Sequence, residues 1–297
     1  MSLLQAVFMG IIQGLTEFLP VSSSGHLALF QIVFHLNTDT GLLFSVLLHF
    51  GTLISIFVAF HKDVKKLICA GVLIIADSIS NIVIFFRNRI RNENEEYRKI
   101  ICTSYRKLVF MILISTIPTA VIGFTNRELV EMAETILIIP GICLILTGIL
   151  LIIADRIPAG RRSPKQVTYT NAFIIGICQG LATLPGLSRS GTTITACLVS
   201  GFDRRFAAKY SFLMSIPAVL GAAVLEISSV VKAQSSGLLH VSGTDVIYYL
   251  IGTIIAAVVG YISIKTMLVI VRKKKFMAFA VYCLLAGSIS VGAYLIA

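Results

Sequence analysis

Residues 10–25 read GIIQGLTEFLPVSSSG and residues 176–191 read GICQGLATLPGLSRSG. At this offset eight of the sixteen positions agree: Gly10/Gly176, Ile11/Ile177, Gln13/Gln179, Gly14/Gly180, Leu15/Leu181, Ser22/Ser188, Ser24/Ser190 and Gly25/Gly191. Composition alone does not deliver such agreement. Phe44-Ser45 against Tyr210-Ser211 extends it weakly, so the chain, one integral domain over 1–297, holds a duplicated unit at approximately 1–60 and 167–231. Each copy sets Pro, Ser and Gly inside apolar sequence and is too interrupted to form one continuous membrane-crossing helix. In a membrane, irregular backbone with polar side chains is tolerated only around a protected or wet cavity.

A membrane setting follows from the rest of the chain. Of 297 residues 57% are hydrophobic and 13% charged, with no Trp and a mean hydropathy of +0.92, too apolar for a soluble domain of this length. Apolar runs at about 41–60, 108–124, 136–154, 210–231, 245–264 and 276–296 reach or approach the roughly 20 residues a spanning helix needs. The alternating segments of about ten residues that mark an outer-membrane barrel are absent. The first 20 residues lack a basic n-region, so no cleaved signal peptide is expected. The six cysteines form no C-x-x-C pair and read as packing residues.

The net charge of +11 is a topology signal, not a nucleic-acid footprint. Segments 61–66, 87–107, 155–168, 203–209 and 265–275 hold 22 of the 25 Lys and Arg, whereas 125–135 and 232–244 hold one each. The first set is therefore cytoplasmic and the second external, with contacts to anionic membrane lipid expected. The run 67–86 is long enough to span, but Asp77 at its centre costs about 2.5–3.5 kcal/mol there. A cytoplasmic-side hairpin or an interfacial helix is the expectation, followed by a solvated loop. Segments 1–36 and 169–202 have flanks on one side of the membrane, and three crossings separate them. The expected fold is an all-α polytopic membrane protein, an inverted-topology repeat with two re-entrant helical hairpins plus about six transmembrane helices. Broken helices in inverted repeats are where membrane proteins build binding sites.

The chemistry lies at the hairpin tips. Ser24 and Ser190 are expected N-caps, so that two half-helices aim free N–H groups at one point, a setting for phosphate. Arg189 supplies bidentate donors. Gln13 and Glu17, four apart, share a helical face. An intramembrane carboxylate is a functional hypothesis by default, and with an amide oxygen it suits Mg²⁺ held together with a phosphorylated substrate. The plain alternative is an ion pair between Glu17 and Arg189. His26 is placed for proton transfer near neutral pH. Three hydroxyls at 22–24 exceed what capping needs, so one is a candidate nucleophile and the others phosphate ligands. His35, His49, His61 and His240 take structural readings.

QGLTEFLPVSSSGHL and PGLSRSGTT resemble the two motifs of the bacterial undecaprenyl-diphosphate phosphatase family of the bacitracin-resistance type. The likeness covers nearly the whole chain, including FDRRFAAKYSFLMSIPAVLG after the second motif. It implies hydrolysis of undecaprenyl diphosphate to the monophosphate and inorganic phosphate for peptidoglycan synthesis. It also implies a divalent cation, Mg²⁺ or alternatively Ca²⁺, and a pocket facing outward from the bacterial plasma membrane. By motif, Gln13 and Glu17 fall on the acidic pair, with Gln where the family carries Glu; Ser23 falls on the proposed nucleophile and His26 on the motif histidine. Ser188, Arg189, Ser190 and Thr193 fall on the phosphate-binding loop, and Ser22 is grouped with the phosphate ligands. Expected partners are a polyprenyl diphosphate lipid and membrane lipids, with a homodimer admissible and no nucleic acid.

Two other readings compete. A polyprenyl-phosphate or other anion transporter would use the same inverted repeat, but the convergence of Glu, Ser, His and Arg exceeds what anion binding requires. A phosphohistidine lipid phosphatase would need a second histidine where Thr195 stands.

Overall fold

Ser2 opens the first helix with a reciprocal capping box, its hydroxyl on the Gln5 N–H and the Gln5 amide on its own N–H. The computed structural model describes residues 2–27, 38–91, 94–136, 138–158, 160–235 and 243–296. Among these the chain is helical, without a strand: α1 Leu3–Thr16, α2 over residues 23–27, α3 Thr38–Ala59, α4 His61–Arg91, α5 Ser104–Thr125, α6 Arg127–Thr135, α7 Ile138–Arg156, α8 Tyr169–Leu181, α9 Arg189–Val199, α10 Arg204–Ser235, α11 Gly243–Lys273 and α12 Met277–Ile296. Six helices, within α4, α5, α7, α10, α11 and α12, are long and apolar enough to cross a membrane. The apolar run at 41–60 falls in α3, and the second arm of the first hairpin, expected near 26–36, lies outside the described residues beyond 27.

The helices that lead into the two motifs each dock on a long helix. Helix α1 packs on α11 and α8 packs on α5. Each docks through a pair of glycines four residues apart. A Cβ on Gly10 would lie 2.5 Å from the Gly252 carbonyl oxygen, and one on Gly176 would run into the backbone of Ser115. Small residues at this spacing let helix backbones approach in an apolar solvent, where packing substitutes for the hydrophobic effect. The C-termini of α7 and α11 are tied together by Arg204. Its guanidinium is buried and donates to the carbonyls of Ala154 (3.1 Å), Ile157 (2.7 Å) and Val271 (3.3 Å). Charge counting reads Arg204 as a loop cation; the fold uses it to satisfy orphan carbonyls where a cation also opposes the helix dipole.

The run 67–86 departs from one of the two forms expected of it. It belongs to a single 31-residue helix, so there is no hairpin. Tyr105 donates to Asp63 at 2.6 Å, and the adjacent Arg106 pairs with Asp77 at 2.7 Å. Asp63 and Asp77 are separated by about 21 Å of helix. Two neighbouring residues at the start of α5 thus reach both carboxylates of α4. Asp77 is offset by Arg98 as well (3.4 Å). Part of the expected solvated loop is pinned along α4: Asn81 exchanges two hydrogen bonds with Arg98 and Asn88 two with Glu95.

Candidate active site

The first motif segment breaks at residues 17–21, and Ser22 takes a left-handed φ of 70° to start α2. The second breaks at 182–187, with Gly186 at φ 89°. The breaks meet each other. Gly25 faces Gly186, and Gly191 faces Pro20; under the repeat offset each contact becomes the other. The caps sit two residues earlier than expected. Ser188 accepts from the Gly191 N–H (3.2 Å) and Ser22 from the Gly25 N–H (3.4 Å), whereas Ser24 and Ser190 each lie 3.3 Å from the capping hydroxyl. The reason is geometric: an N-cap bonds the third residue of its helix, and α9 begins at Arg189, α2 at residue 23. Ser22 also accepts from the Gly186 N–H at 3.1 Å, which joins the two tips.

At this junction one carboxylate is the hub. Arg189 Nη2 reaches Glu17 Oε1 at 2.5 Å from the opposite tip, so the ion pair raised as the plain alternative is present. Ser23 Oγ donates to Glu17 Oε2 at 2.6 Å, and Gln13 Nε2 donates to the same oxygen at 3.1 Å. Gln13 and Glu17 are buried. Two atoms in this cluster have no hydrogen-bond partner: Gln13 Oε1 and Arg189 Nη1. A buried acceptor and a buried charged donor left open beside one carboxylate are costly unless something else meets them.

The other predicted residues are placed differently. His26 is turned from Glu17 and Ser23 in its bonding: its Nδ1 lies 2.7 Å from the Ser22 carbonyl oxygen and its Nε2 2.5 Å from the Tyr282 hydroxyl, with the two rings stacked. The carbonyl fixes the proton on Nδ1, leaving Nε2 to accept from the tyrosine. Thr193 is bonded to the Arg189 carbonyl (2.8 Å) and to Ser211 (2.6 Å). Ser190 lies 3.4 Å from the Leu19 carbonyl oxygen. Sequence reasoning missed Thr147 of α7, whose hydroxyl accepts from the Ser188 N–H (3.0 Å) and donates to the Gly186 carbonyl (3.1 Å), and it missed Tyr282. Gln179, the counterpart of Gln13, donates to Thr119 at 3.3 Å, and its Oε1 is likewise buried without a partner; among the described residues it makes no hydrogen bond to a carboxylate. The two tips are thus alike in backbone and unlike in chemistry.

Among the described residues no group of three or more His, Cys, Asp or Glu side chains could hold a metal ion. The oxygens available are those of Gln13, Glu17 and the serines, hard donors that suit Mg²⁺ or Ca²⁺ when substrate and water complete the shell.

Residues 6–289 match the family model described as bacitracin resistance protein BacA. The chain is 39% identical over 287 residues to an undecaprenyl-diphosphatase of Halothermothrix orenii, covering 97% of this chain and 96% of that protein. It is 38% identical to one of Alkaliphilus metalliredigens (97% and 98% covered) and 36% identical to one of Methanosphaera stadtmanae (98% of each).

Proposed function

This chain belongs to the BacA family of bacitracin resistance proteins, and from that premise we propose that it hydrolyses undecaprenyl diphosphate to undecaprenyl phosphate and inorganic phosphate in the cell membrane. The observation that carries the reading is the Ser23–Glu17–Arg189 chain of bonds at the meeting of two broken helices, with Arg189 Nη1 left open. A nucleophile hydrogen-bonded to a base that is itself oriented by a third group is the signature of covalent catalysis.

In the proposed reaction Ser23 Oγ attacks the terminal phosphorus. Its proton passes to Glu17, and the bond from that phosphorus to the bridging oxygen breaks, so undecaprenyl phosphate leaves with the bridging oxygen. Water then cleaves the phosphoserine, giving inorganic phosphate and restoring the Ser23 hydroxyl. Arg189 Nη1 meets a phosphate oxygen while Nη2 keeps its hold on Glu17, and the free N–H groups at the starts of α2 and α9 add fixed positive ends. Gln13 and Glu17 would hold the divalent cation; Gln13 Oε1, buried and unpartnered, supports that fit. When bound, the cation neutralises charge on the phosphate oxygens. His26, Ser22, Ser188, Ser190 and Thr193 shape and support the pocket in this reading.

The two broken segments act as re-entrant hairpins inserted from opposite faces, with the pocket reached from the outside. Support comes from length, since α1, α8 and α9 have 14, 13 and 11 residues, short of the roughly 20 needed to cross. Release of inorganic phosphate from polyprenyl diphosphate by purified protein tests the function. Full turnover in both Glu17→Ala and Arg189→Ala would overturn the site.

A further inference from the structure

Helix α4 is the part of the molecule that the phosphatase reading leaves unused. Its side chains separate by face. Ile68, Val72, Ile75, Ile79, Ile82, Phe86 and Ile90 recur at helical spacing on one stripe, each more than half exposed. The opposite stripe carries Asp63, Ala70, Asp77, Asn81 and Asn88, whose partners lie in the start of α5 and the segment before it or, for Asp63, also in Lys209. The apolar stripe is therefore turned away from the protein.

Both ends of the helix are basic, with Lys62, Lys65 and Lys66 at one and Arg87, Arg89 and Arg91 at the other. Among the described residues Lys62, Lys65, Arg89 and Arg91 make no ion pair, whereas Arg87 pairs with Glu95. A second copy laid on the stripe in either direction would bring like charges together. An anionic bilayer surface would not. Beside the basic N-terminal end is a cavity of about 550 Å³ lined by Lys62, Lys65, Lys66, Leu73, Cys102 and Tyr105, among others. Its wall is mainly apolar and its charges are three lysines and Arg106, the arginine being paired with Asp77, the combination that takes a phosphate head with the upper part of an acyl chain.

We propose that α4 lies in the plane of the cytoplasmic membrane surface, its stripe in the acyl region, and that the cavity between α4 and the start of α5 binds the phosphate of an anionic phospholipid. Amphipathic helices with basic flanks bind anionic lipid in this way. The site draws on no residue of the proposed active centre, so it stands or falls separately from the phosphatase reading.

The test uses the full-length protein in nanodiscs of phosphatidylcholine with or without phosphatidylglycerol. Native mass spectrometry should find phosphatidylglycerol retained on the wild type, with affinity falling about fivefold per lysine neutralised, from the electrostatic contribution of one basic residue near an anionic surface, in Lys62→Gln, Lys65→Gln and their double variant. Labelling of the exposed Cys69 and Cys102 by an impermeant maleimide should slow when phosphatidylglycerol is present, and the double variant should lose that dependence. Equal lipid retention in wild type and double variant overturns the headgroup site. Labelling of Ile90→Cys from the outside of intact cells would show that α4 crosses the bilayer and overturns the in-plane placement.

Discussion

Glu17 makes three short-range contacts at once, and they are unequal in what their loss would do. The Arg189 pair joins two charges in a buried setting, so removing one partner strands the other, at about 3–5 kcal/mol. Glu17→Gln is the cleaner probe, because an amide of the same shape keeps the Ser23 contact but cannot take its proton. Phosphate release by Glu17→Gln should fall about 10²- to 10⁴-fold, and the detergent-solubilised melting temperature should fall as well because the neutral amide leaves Arg189 without its counter-ion; activity within tenfold of wild type would remove Glu17 as the base. Ser23→Ala should fall comparably and lose any phosphoserine trapped from labelled substrate, whereas a variant that retains turnover makes water the nucleophile. For His26, the tyrosine contact gives a sharper test than single substitution. His26→Ala, Tyr282→Phe and the double variant form a cycle, and a coupling of about 0.5–3 kcal/mol in turnover is expected for two side chains in direct contact. Additive effects would mean that the histidine acts without Tyr282.

At the scale of elements, the glycine pairs decide whether the broken segments sit where the site needs them. Gly176→Ala would push a Cβ into the Ser115 backbone, while Gly221 has nothing within 4 Å of its Cβ direction. Overpacking typically costs about 1–3 kcal/mol, so Gly176→Ala should lower the thermal midpoint in detergent and Gly221→Ala should not; equal midpoints would show that α8 yields freely against α5. The breaks in the two motif segments are legible because they are written locally, in Pro, Ser and Gly inside apolar runs. The caps lie two residues ahead of the expected serines, since a cluster of serines offers several hydroxyls and only the helix start selects one. Thr147 and Tyr282 were not legible: their partners lie 41 and 256 residues away, and such pairing leaves no local pattern. The hairpin read as one option for 67–86 failed for a related reason. Asp77 looks costly in isolation, but Arg98 and Arg106 arrive from outside the helix to offset it.

For the whole molecule, the fold brings the two motif breaks together and then divides the work between them. One tip supplies Gln13, Glu17 and Ser23; the other supplies Arg189, while Gln179 at the place of Gln13 is spent on a bond to Thr119. A lipid diphosphate fits this division, because its charged head needs a polar junction inside the apolar bundle while its tail stays in lipid. Metal dependence and sidedness then belong to one measurement. In vesicles with the external face outward, polyprenyl diphosphate added to the outer leaflet should release inorganic phosphate, and EDTA that cannot enter should abolish the release, with external Mg²⁺ restoring it. Gln13→Ala should raise the Mg²⁺ concentration needed for half-maximal rate, since it deletes the unpartnered amide oxygen, more than it lowers the rate at saturating metal. Activity untouched by external EDTA would remove either the cation from the reaction or the pocket from the outer face. Repeating the assay with EDTA on both sides of the membrane separates the two.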